Sequence, residues 1–267
     1  MDQTTKAKTF ADLHAGPAVL VLPNAWDAAS AAVMADAGAK AVATSSAAVA
    51  WAHGYPDGDL LPLPNLIATI SAVVRVVSLP VTADIEGGYT DDLAQLAETI
   101  RAVIGAGAVG VNLEDGSRDP DLHARKLEAA RKAAEGAGVA LFINARTDTY
   151  LRRLFEGDAA EAETLRRAAL CRKAGADGVF VPGPTEEALI GRLAAGIDGP
   201  MNIMLTGGTP PAARLQALGV RRLSSGARPF SGAYAYLANS VKSYLADGLA
   251  APFLVEGLPN LNQRFAR

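Results

Sequence analysis

The stretch Val81-Thr82-Ala83-Asp84-Ile85-Glu86-Gly87-Gly88-Tyr89-Thr90 decides the fold, because it passes within ten residues from a strand to a helix start. The run from Val81 to Asp84 is short and largely apolar, as expected of a strand that is covered on both faces. Thr90 is predicted to be the N-cap of the helix that follows. Apolar residues then recur at helical spacing on one face, at Leu93, Leu96, Ile100, Val103 and Ile104.

This strand and helix unit recurs about eight times along the chain. The predicted strands are Val19 to Leu22, Ala41 to Thr44, Val81 to Asp84, Val109 to Leu113, Ala140 to Asn144, Gly178 to Val181, Met201 to Met204 and Arg221 to Ser224. Further helices are predicted to start near Asp27, Pro64, Leu122, Asp158, Thr185, Pro210 and Ser231. The pattern favours an α/β fold, a single (β/α)₈ TIM barrel, with an open doubly wound sheet as the alternative.

The chain is predicted to form one domain over residues 1–267, because no long linker or low-complexity segment interrupts it. Residues 247–267 contain Pro252, Gly257 and Pro259 and are predicted to be a C-terminal extension. This helical segment is expected to leave the barrel body, where it could pack on a neighbouring subunit.

Charge and composition exclude several classes of function. The formal net charge of -3 argues against a nucleic-acid partner. The sequence contains no run of about 18 apolar residues, which a membrane span would require, and Met1 to Phe10 lacks the apolar core of a signal peptide. Cys171, as the single cysteine, excludes an internal disulfide and a thiolate zinc cluster. We therefore expect a soluble, cytoplasmic protein.

Carboxylates follow two neighbouring predicted strands at the point where each strand ends. Asp84 and Glu86 stand two residues apart, so an extended strand aims both to the same side, and Glu114 ends the next strand. Crowded carboxylates repel one another unless a cation neutralises them or some are protonated. Mg²⁺ prefers such oxygen ligands, and Mn²⁺ is a possible substitute. The alternative is that these acids are separate cap and loop residues.

Two further strand ends carry polar residues. Arg146 follows the fifth strand, where its guanidinium suits a carboxylate or a developing enolate oxygen, or else a structural ion pair with Glu114 or Asp148. The small residues from Thr44 to Ala48 let backbone N–H groups approach a ligand, and Asp57 could reach a metal through water. A plain loop is the alternative for this second segment.

With these residues assembled, the chain resembles the isocitrate lyase/phosphoenolpyruvate mutase superfamily over nearly its whole length. The motifs that carry the resemblance occur in order as Pro23-Asn24-Ala25-Trp26-Asp27, Thr44-Ser45-Ser46, Gly54-Tyr55-Pro56-Asp57, Asp84-Ile85-Glu86-Gly87-Gly88-Tyr89, Asn112-Leu113-Glu114-Asp115 and Asn144-Ala145-Arg146-Thr147-Asp148. Any one of these motifs alone is weak, but the ordered set is specific.

The resemblance implies Mg²⁺ bound by Asp84, Glu86 and Glu114, with Asp57 assisting through water. It implies that Ser45, Ser46 and Ala47 hold the carboxylate and oxo group of the substrate, with Asp84 and Arg146 also at the substrate. Asn202 matches an asparagine of the lyases that binds a distal carboxylate. The resemblance further implies a homo-oligomer, a dimer or more usually a tetramer, in which the last helix is exchanged between barrels.

Departures from the family pattern limit the substrate. The loop Gly116-Ser117-Arg118-Asp119-Pro120-Asp121 is short and lacks the cysteine motif of the carbon–carbon lyases that cleave isocitrate. It also lacks the lysine of the phosphonate-handling members, since the nearest one is Lys126 in the predicted helix. Val181-Pro182-Gly183 stands where methylisocitrate lyases have Phe-Pro-Glu, and Met204 stands where the lyases have a hydroxyl residue.

The reaction that remains compatible with these departures is the formation of an enolate from a chelated small 2-oxo or 2-hydroxy acid, in a Mg²⁺-dependent lyase or decarboxylase. Retro-aldol cleavage would also need a base, for which Tyr89, Asp57 or a metal-bound hydroxide could serve. The alternatives are a phosphonopyruvate-type hydrolase or mutase, with Ser117 or Arg118 replacing missing groups, and a barrel that binds 2-oxo acids without turnover.

Several other residues receive structural predictions with a functional alternative. The segment from Thr206 to Pro210 is predicted to be a structural turn, with a phosphate-binding loop as the alternative. His14 and His123 are predicted to be surface or packing residues, and Cys171 to be a buried, inert thiol. His53 lies in a loop beside the proposed site, where an acid/base role is the less favoured alternative.

Overall fold

A barrel of parallel strands surrounded by helices forms the body of the protein. The computed structural model describes residues 1–254 and 256–266. The strands are β1 (Leu20–Leu22), β2 (Asn24–Ala25), β3 (Val42–Thr44), β4 (Val81–Asp84), β5 (Gly110–Glu114), β6 (Phe142–Arg146), β7 (Gly178–Phe180), β8 (Met201–Met204) and β9 (Arg222–Ser224). All pairs are parallel, in the order β1-β9-β8-β7-β6-β5-β4-β3-β2.

The helices surround the sheet, except at the outer face of β1, and one of them covers the bottom of the barrel. They are α1 (Gln3–Ala15), α2 (Ala28–Asp36), α3 (Ser46–Ala52), α4 (Leu63–Val76), α5 (Leu93–Gly105), α6 (Pro120–Gly136), α7 (Gly157–Lys173), α8 (Glu187–Gly196), α9 (Ala212–Ala217), α10 (Arg228–Asp247) and α11 (Leu261–Phe265). A short 3₁₀ turn lies at Ala251–Phe253. In the described part of the chain, none of the helices combines the length and apolar character that a membrane span requires.

The barrel closes at Pro23, which divides the first barrel strand into β1 and β2. β1 pairs with β9, whereas β2 pairs with β3, so the two halves of one strand join the two ends of the sheet. Proline has no N–H to donate to a ladder, but its carbonyl still accepts from the Ala43 N–H at 3.0 Å. The predicted (β/α)₈ barrel is therefore confirmed, with its first strand position formed by β1 and β2 together.

The predicted strands all occur, with bounds that shift by up to two residues. The largest shift is in β6, which begins at Phe142 instead of Ala140, because the first inter-strand hydrogen bond runs from the Phe142 N–H to the carbonyl of Val109, the residue before β5, at 3.0 Å. The N-cap of α5 is Asp92 and not Thr90, since the Asp92 carboxylate accepts from the Gln95 N–H at 2.8 Å.

The bottom of the barrel is closed by α1, which the strand and helix repeat did not predict. Phe10 and His14 lie on its buried face, and the His14 ring stacks on Phe142 with centroids 4.0 Å apart. His14 Nδ1 lies 2.8 Å from the Phe10 carbonyl and therefore carries the proton. Burial, together with the charge of the buried Arg222, lowers the pKa of His14 to about 3. The predicted packing role of His14 fits this position.

His14 should make the fold sensitive to acid. Its pKa is lowered in the folded state, so it contributes stability above pH 6.5 that is lost as the pH falls towards 3. The slope is at most about 1.4 kcal/mol per pH unit. His14→Phe keeps the ring stack and should flatten this loss, as measured by urea unfolding at several pH values between 7 and 4.

The control is His53→Gln, which changes an exposed histidine and should keep the wild-type slope. Equal slopes for wild type and His14→Phe would contradict the role of His14.

Candidate active site

A cavity of about 350 Å³ opens at the carboxyl ends of the strands. Its polar lining comes from Asn24, Ser45, Ser46, Asp57, Asp84, Asn112, Arg146, Ser224, Ser225, Arg228 and Ser231. Its apolar lining comes from Ala47, Trp51, Leu151, Phe180, Met204, Leu205, Gly226 and Ala227. This is the end of a (β/α)₈ barrel at which active sites lie.

Asp84 is the acidic residue at the base of the cavity. Its N–H donates to Thr44 Oγ1 at 2.9 Å, and its Oδ2 accepts from the Ser46 N–H at 3.3 Å. Ser46 is the first residue of α3, a short helix in the segment for which the sequence left a plain loop open. Asp84 Oδ1 is buried without a hydrogen-bond partner, so one carboxylate oxygen is left for another ligand.

Glu86 lies behind the cavity wall with both carboxylate oxygens occupied. Its Oε2 accepts from the Gly58 N–H at 2.7 Å and from the Asp59 N–H, and its Oε1 accepts from the Tyr89 hydroxyl at 3.0 Å. Burial raises the pKa of Glu86 to about 7, although the backbone bond from Asp59 opposes the rise. The charges of Asp57 and Asp84 raise it further.

Glu114 and Arg146 form an ion pair across two neighbouring strand ends. Glu114 Oε2 lies 2.6 Å from Arg146 Nη1. Burial raises the pKa of Glu114 to about 8 despite the guanidinium, and the charge of Asp148 adds to the rise. Burial alone would lower the pKa of Arg146, but Glu114 and Asp148 outweigh it and raise that pKa. The guanidinium also lies 5.6 Å from the Phe180 ring centre.

The orientation of Arg146 depends on residues behind it. Asp148 receives the Arg146 Nε–H at 2.7 Å and an Nη2–H at 3.2 Å, which fixes the plane of the guanidinium. Asp148 is held in turn by Asp115, whose Oδ1 accepts the Asp148 N–H at 2.8 Å. Arg167 Nη1 pairs with the other Asp115 oxygen at 2.8 Å. Arg167 gave no signal in the sequence, because it lies within α7 and not at a strand end.

The structure brings the predicted Ser45, Ser46, Ala47, Asp57, Asp84 and Arg146 together in one cavity wall. Glu86, Glu114, Tyr89 and Asn202 are absent from that wall, within the part of the chain that the structure describes. Tyr89 lies behind Glu86, where burial raises the pKa of its hydroxyl. Asn202 is fully buried beside Ser224, whose hydroxyl donates to Asn202 Oδ1 at 3.2 Å.

The three predicted metal carboxylates do not converge on one point. Within residues 1–254 and 256–266, no three Asp, Glu, His or Cys side chains are close enough to hold one metal ion directly. The reason is that Glu86 has turned to backbone donors and Glu114 to Arg146. The arrangement therefore differs from the prediction that Asp84, Glu86 and Glu114 together bind the metal ion.

The residues nevertheless fit a hard divalent cation with Asp84 as the direct ligand. Its unpartnered Oδ1 supplies an oxygen donor, and the cavity wall also contains Asp57. Burial raises the pKa of Asp57, and the charge of Asp84 raises it further. A cation would relieve this repulsion, and Asp57, Glu86 and Glu114 could act on it through water.

The residues with alternative functional roles lie outside the cavity wall. Thr206 and Thr209 close their own turn through an N–H to Oγ1 bond of 2.7 Å, as the structural prediction expects. His53 Nε2 lies 3.0 Å from Thr69 Oγ1 on the outside of the barrel mouth. Cys171 is buried, and burial raises the pKa of its thiol to about 12, which suits an inert thiol.

Asn24, Asn112, Ser224 and Arg228 line the cavity although the sequence assigned them no role. Asn24 Oδ1 accepts the N–H groups of Ser225 at 2.9 Å and Gly226 at 3.1 Å, which ties the first strand to the end of the last. Ser224 ends β9, so the signal that identified Asp84, a polar residue at the end of a strand, could also have found it. Asn112 is the middle residue of β5 and Asn24 begins β2, so this signal does not identify them.

Comparison with known proteins gives matches over most of the chain. A family model described as phosphoenolpyruvate phosphomutase matches residues 10–245, a range that includes every residue of the cavity wall. An uncharacterised protein of Mycobacterium tuberculosis is 35% identical over 248 residues, with 91% of each chain covered. The oxaloacetate decarboxylase of Pseudomonas fluorescens is 29% identical over 227 residues, which cover 82% of this chain and 78% of the decarboxylase.

Solved structures add a similar protein from Burkholderia cenocepacia, provisionally named a phosphonomutase. It is 42% identical and superposes with a TM-score of 0.86, over 90% of this chain and 99% of that protein. The similarity therefore extends over the whole barrel and the cavity at its mouth.

Cation binding at this cavity should release protons near neutral pH. The pKa values of about 7 for Glu86 and about 8 for Glu114 leave both groups partly protonated there, and a cation favours their ionised forms. Affinity for Mn²⁺ should therefore rise as the pH increases from 6 to 8.5. Calorimetric titration in two buffers of different ionisation enthalpy measures the protons released at each pH.

Glu114→Gln removes one of these groups and should reduce the number of protons released at pH 7. An affinity that is the same at pH 6 and 8.5 would contradict the assignment.

Proposed function

Because this chain belongs to the isocitrate lyase/phosphoenolpyruvate mutase superfamily, we propose that it is a divalent-metal-dependent lyase or decarboxylase of a small 2-oxo or 2-hydroxy acid. The observation that carries the proposal is the cavity that combines Asp84, with one carboxylate oxygen unpartnered, and the oriented guanidinium of Arg146. Oxygen ligands of this kind favour Mg²⁺, with Mn²⁺ as a substitute.

Arg146 binds and orients the acid. A guanidinium has five N–H groups, and Glu114 and Asp148 occupy three of them, so one N–H remains on each Nη for the substrate. The α3 end of the cavity, at Ser45, Ser46 and Ala47, holds the carboxylate and oxo group. Bound Mg²⁺ would supply Lewis-acid stabilisation of the substrate oxygen that becomes negative.

The remaining groups favour a reaction with few proton transfers. Decarboxylation releases carbon dioxide and leaves an enolate, which Arg146 stabilises and water reprotonates. Retro-aldol cleavage needs a base, and Asp57 is the carboxylate in the cavity wall that remains for this role beside Asp84. Tyr89 is less suited, because its hydroxyl donates to Glu86 and its pKa is raised. The similarity to an oxaloacetate decarboxylase supports the same reaction class.

The second candidate is cleavage or rearrangement of a P–C bond in a phosphonopyruvate-like acid, which the similarity to the provisionally named phosphonomutase favours. For this reaction Ser117 or Arg118 would have to replace the missing groups, and only Arg118 carries a positive charge. Its guanidinium is engaged by Asp59 and Asp91, each at 2.7 Å, so it is not free to bind a phosphonate. We therefore rank this candidate second.

Turnover should depend on Asp84. Purified protein with Mg²⁺ is offered 2-oxo and 2-hydroxy di- and tricarboxylates and phosphonopyruvate, while pyruvate, glyoxylate, carbon dioxide and phosphate are followed together. Asp84→Asn should lower kcat/KM by about 100-fold or more, because it removes the charged ligand. Glu114→Gln should also lose most activity while remaining folded.

Asp12→Asn, in the exposed part of α1, is the matched control and should leave turnover unchanged. Phosphate as the only product would favour the second candidate, and full activity in Asp84→Asn would exclude the site.

We also propose that the protein is a homo-oligomer in which α10 packs on another copy. The stripe of apolar residues along α10 repeats at spacings of four and three, and consists of Phe230, Tyr234, Leu237, Val241 and Tyr244. Only Phe230 of this stripe is buried. On the barrel itself, the outer face of β1 is uncovered, and Val21 is 56% exposed in a groove with Met34, Leu205 and Leu223.

The exposed apolar stripe of α10 and the exposed apolar groove beside β1 support exchange of α10 between copies, because each surface would bury the other. Val241→Glu should therefore shift a dimer or tetramer towards the monomer in size-exclusion chromatography with light scattering. Lys242→Glu alters an adjacent position on the same helix and should not change the mass. A monomeric wild type at high concentration would refute the exchange.

A further inference from the structure

Arg118 joins three loops at the mouth of the barrel. It lies in the short connection between β5 and α6, and its Nη2 pairs with Asp59 Oδ2 at 2.7 Å. Its Nε pairs with Asp91 Oδ1, also at 2.7 Å. The side chain is 26% exposed, and Asp59 is 19% exposed, so the first pair is shielded from solvent more than an ordinary surface pair. The connection is therefore fastened to the α3–α4 loop and to the β4–α5 loop.

Asp59 transmits this contact to the acidic residues. Its Oδ1 accepts the N–H groups of Gly87 at 3.0 Å and Tyr89 at 3.1 Å. Its own N–H, with that of Gly58, donates to Glu86 Oε2. One aspartate thus fixes both the turn after β4 and the carboxylate of Glu86. Asp57, two residues earlier, reaches the cavity from the same loop.

Backbone strain is concentrated at these same positions. Asp59, Glu86 and Tyr89 have positive φ angles of 61°, 52° and 61°, in a region that non-glycine residues rarely adopt. Arg153 is the one other non-glycine residue with a positive φ among those described. Such conformations persist only where their surroundings hold them. The hydrogen bonds of Asp59 stabilise these backbone conformations at Glu86 and Tyr89.

Gly87 allows the ion pair to approach the turn. A Cβ atom at this position would clash with the Arg118 guanidinium and with Asp59 Oδ2, so the pair lies directly against the backbone. The contact is consequently a close fit between Arg118, Asp59 and the turn that follows Asp84, and not a loose surface pair.

We propose that Arg118 is a positioning residue for the cation site: through Asp59 it holds Glu86 and the loop that carries Asp57 in their binding geometry. This inference rests on the proposed function, since it concerns the same cation. We call this contact of Arg118 with Asp59 and Asp91 the latch, because it holds the connection between β5 and α6 against the neighbouring loops.

The sign of the effect separates this role from simple electrostatics. Removing the positive charge of Arg118 makes the surroundings of the carboxylates more negative, which by Coulomb attraction alone would tighten cation binding. Loss of the latch frees Asp59 and relaxes Glu86, which weakens cation binding. The two explanations therefore predict opposite changes in Kd for Arg118→Gln, whereas both predict weaker binding for Asp59→Asn.

The experiment is a calorimetric titration of Mn²⁺ into the full-length protein at pH 8. Arg118→Gln and Asp59→Asn each break the ion pair, and the Asp59→Asn variant keeps a side-chain oxygen that can accept from Gly87 and Tyr89. We expect about a tenfold rise in Kd for each, a magnitude typical of coupling between sites. The double variant should bind little worse than either single variant, because both remove the same contact.

Arg101→Gln is the matched control, since it breaks an exposed ion pair with Glu98 on α5 and should leave Kd within about twofold. Arg118→Lys can restore one ion pair and should recover part of the affinity. Unchanged or tighter binding in Arg118→Gln would overturn the proposal, as would strictly additive effects in the double variant.

Amide hydrogen exchange at residues 57–60 and 86–89 tests the latch without a cation. Arg118→Gln should accelerate exchange at both segments, while Arg101→Gln should not. If wild type bound no Mn²⁺, the proposed function would fail, and unchanged exchange in Arg118→Gln would overturn the latch separately. Faster exchange at 57–60 and 86–89, confined to those segments, supports it in either case.

Discussion

Negative charge buried at the mouth of the barrel is the constraint on which the upper half of the barrel depends. Burial raises the pKa values of Asp57, Glu86 and Glu114, and the charge of Asp84 raises each of them further. Three of these carboxylates differ in their partners: Glu86 accepts hydrogen bonds from backbone N–H groups, Glu114 pairs with Arg146, and Asp84 has one oxygen without a partner. Because Glu86 and Glu114 already have partners, Asp84 is the carboxylate that remains to bind a ligand.

The part of this arrangement that could be predicted from sequence is the part set by the barrel topology. Strand ends in a parallel barrel must meet at one mouth, so Asp84 and Arg146 could be placed together without knowledge of any side-chain conformation. Ser45, Ser46 and Asp57 follow the second predicted strand, and the family resemblance, rather than the topology, gave them a role at the site. The short apolar runs located the strands themselves to within two residues.

The part that could not be predicted depends on conformation beyond the strand ends. A carboxylate two residues after Asp84 was expected on the same side, but the positive φ of Glu86 turns it towards Gly58 and Asp59. Arg167 supports the site from the middle of α7, where periodicity indicates only a helix. Likewise, α3 begins at Ser46 because Ser45 caps it, and a seven-residue helix is too short to leave a periodic pattern.

Closure of the sheet at Pro23 has a consequence for how the chain folds during synthesis. Leu20 pairs with Arg222, about 200 residues later, and the Asn24 side chain binds the backbone of Ser225 and Gly226. Contacts this distant in sequence are slow to form and cannot form until β9 has left the ribosome. The strands that carry Asp84, Glu114 and Arg146 therefore leave the ribosome before β9, and the sheet that they form keeps two open edges until β9 pairs with β1.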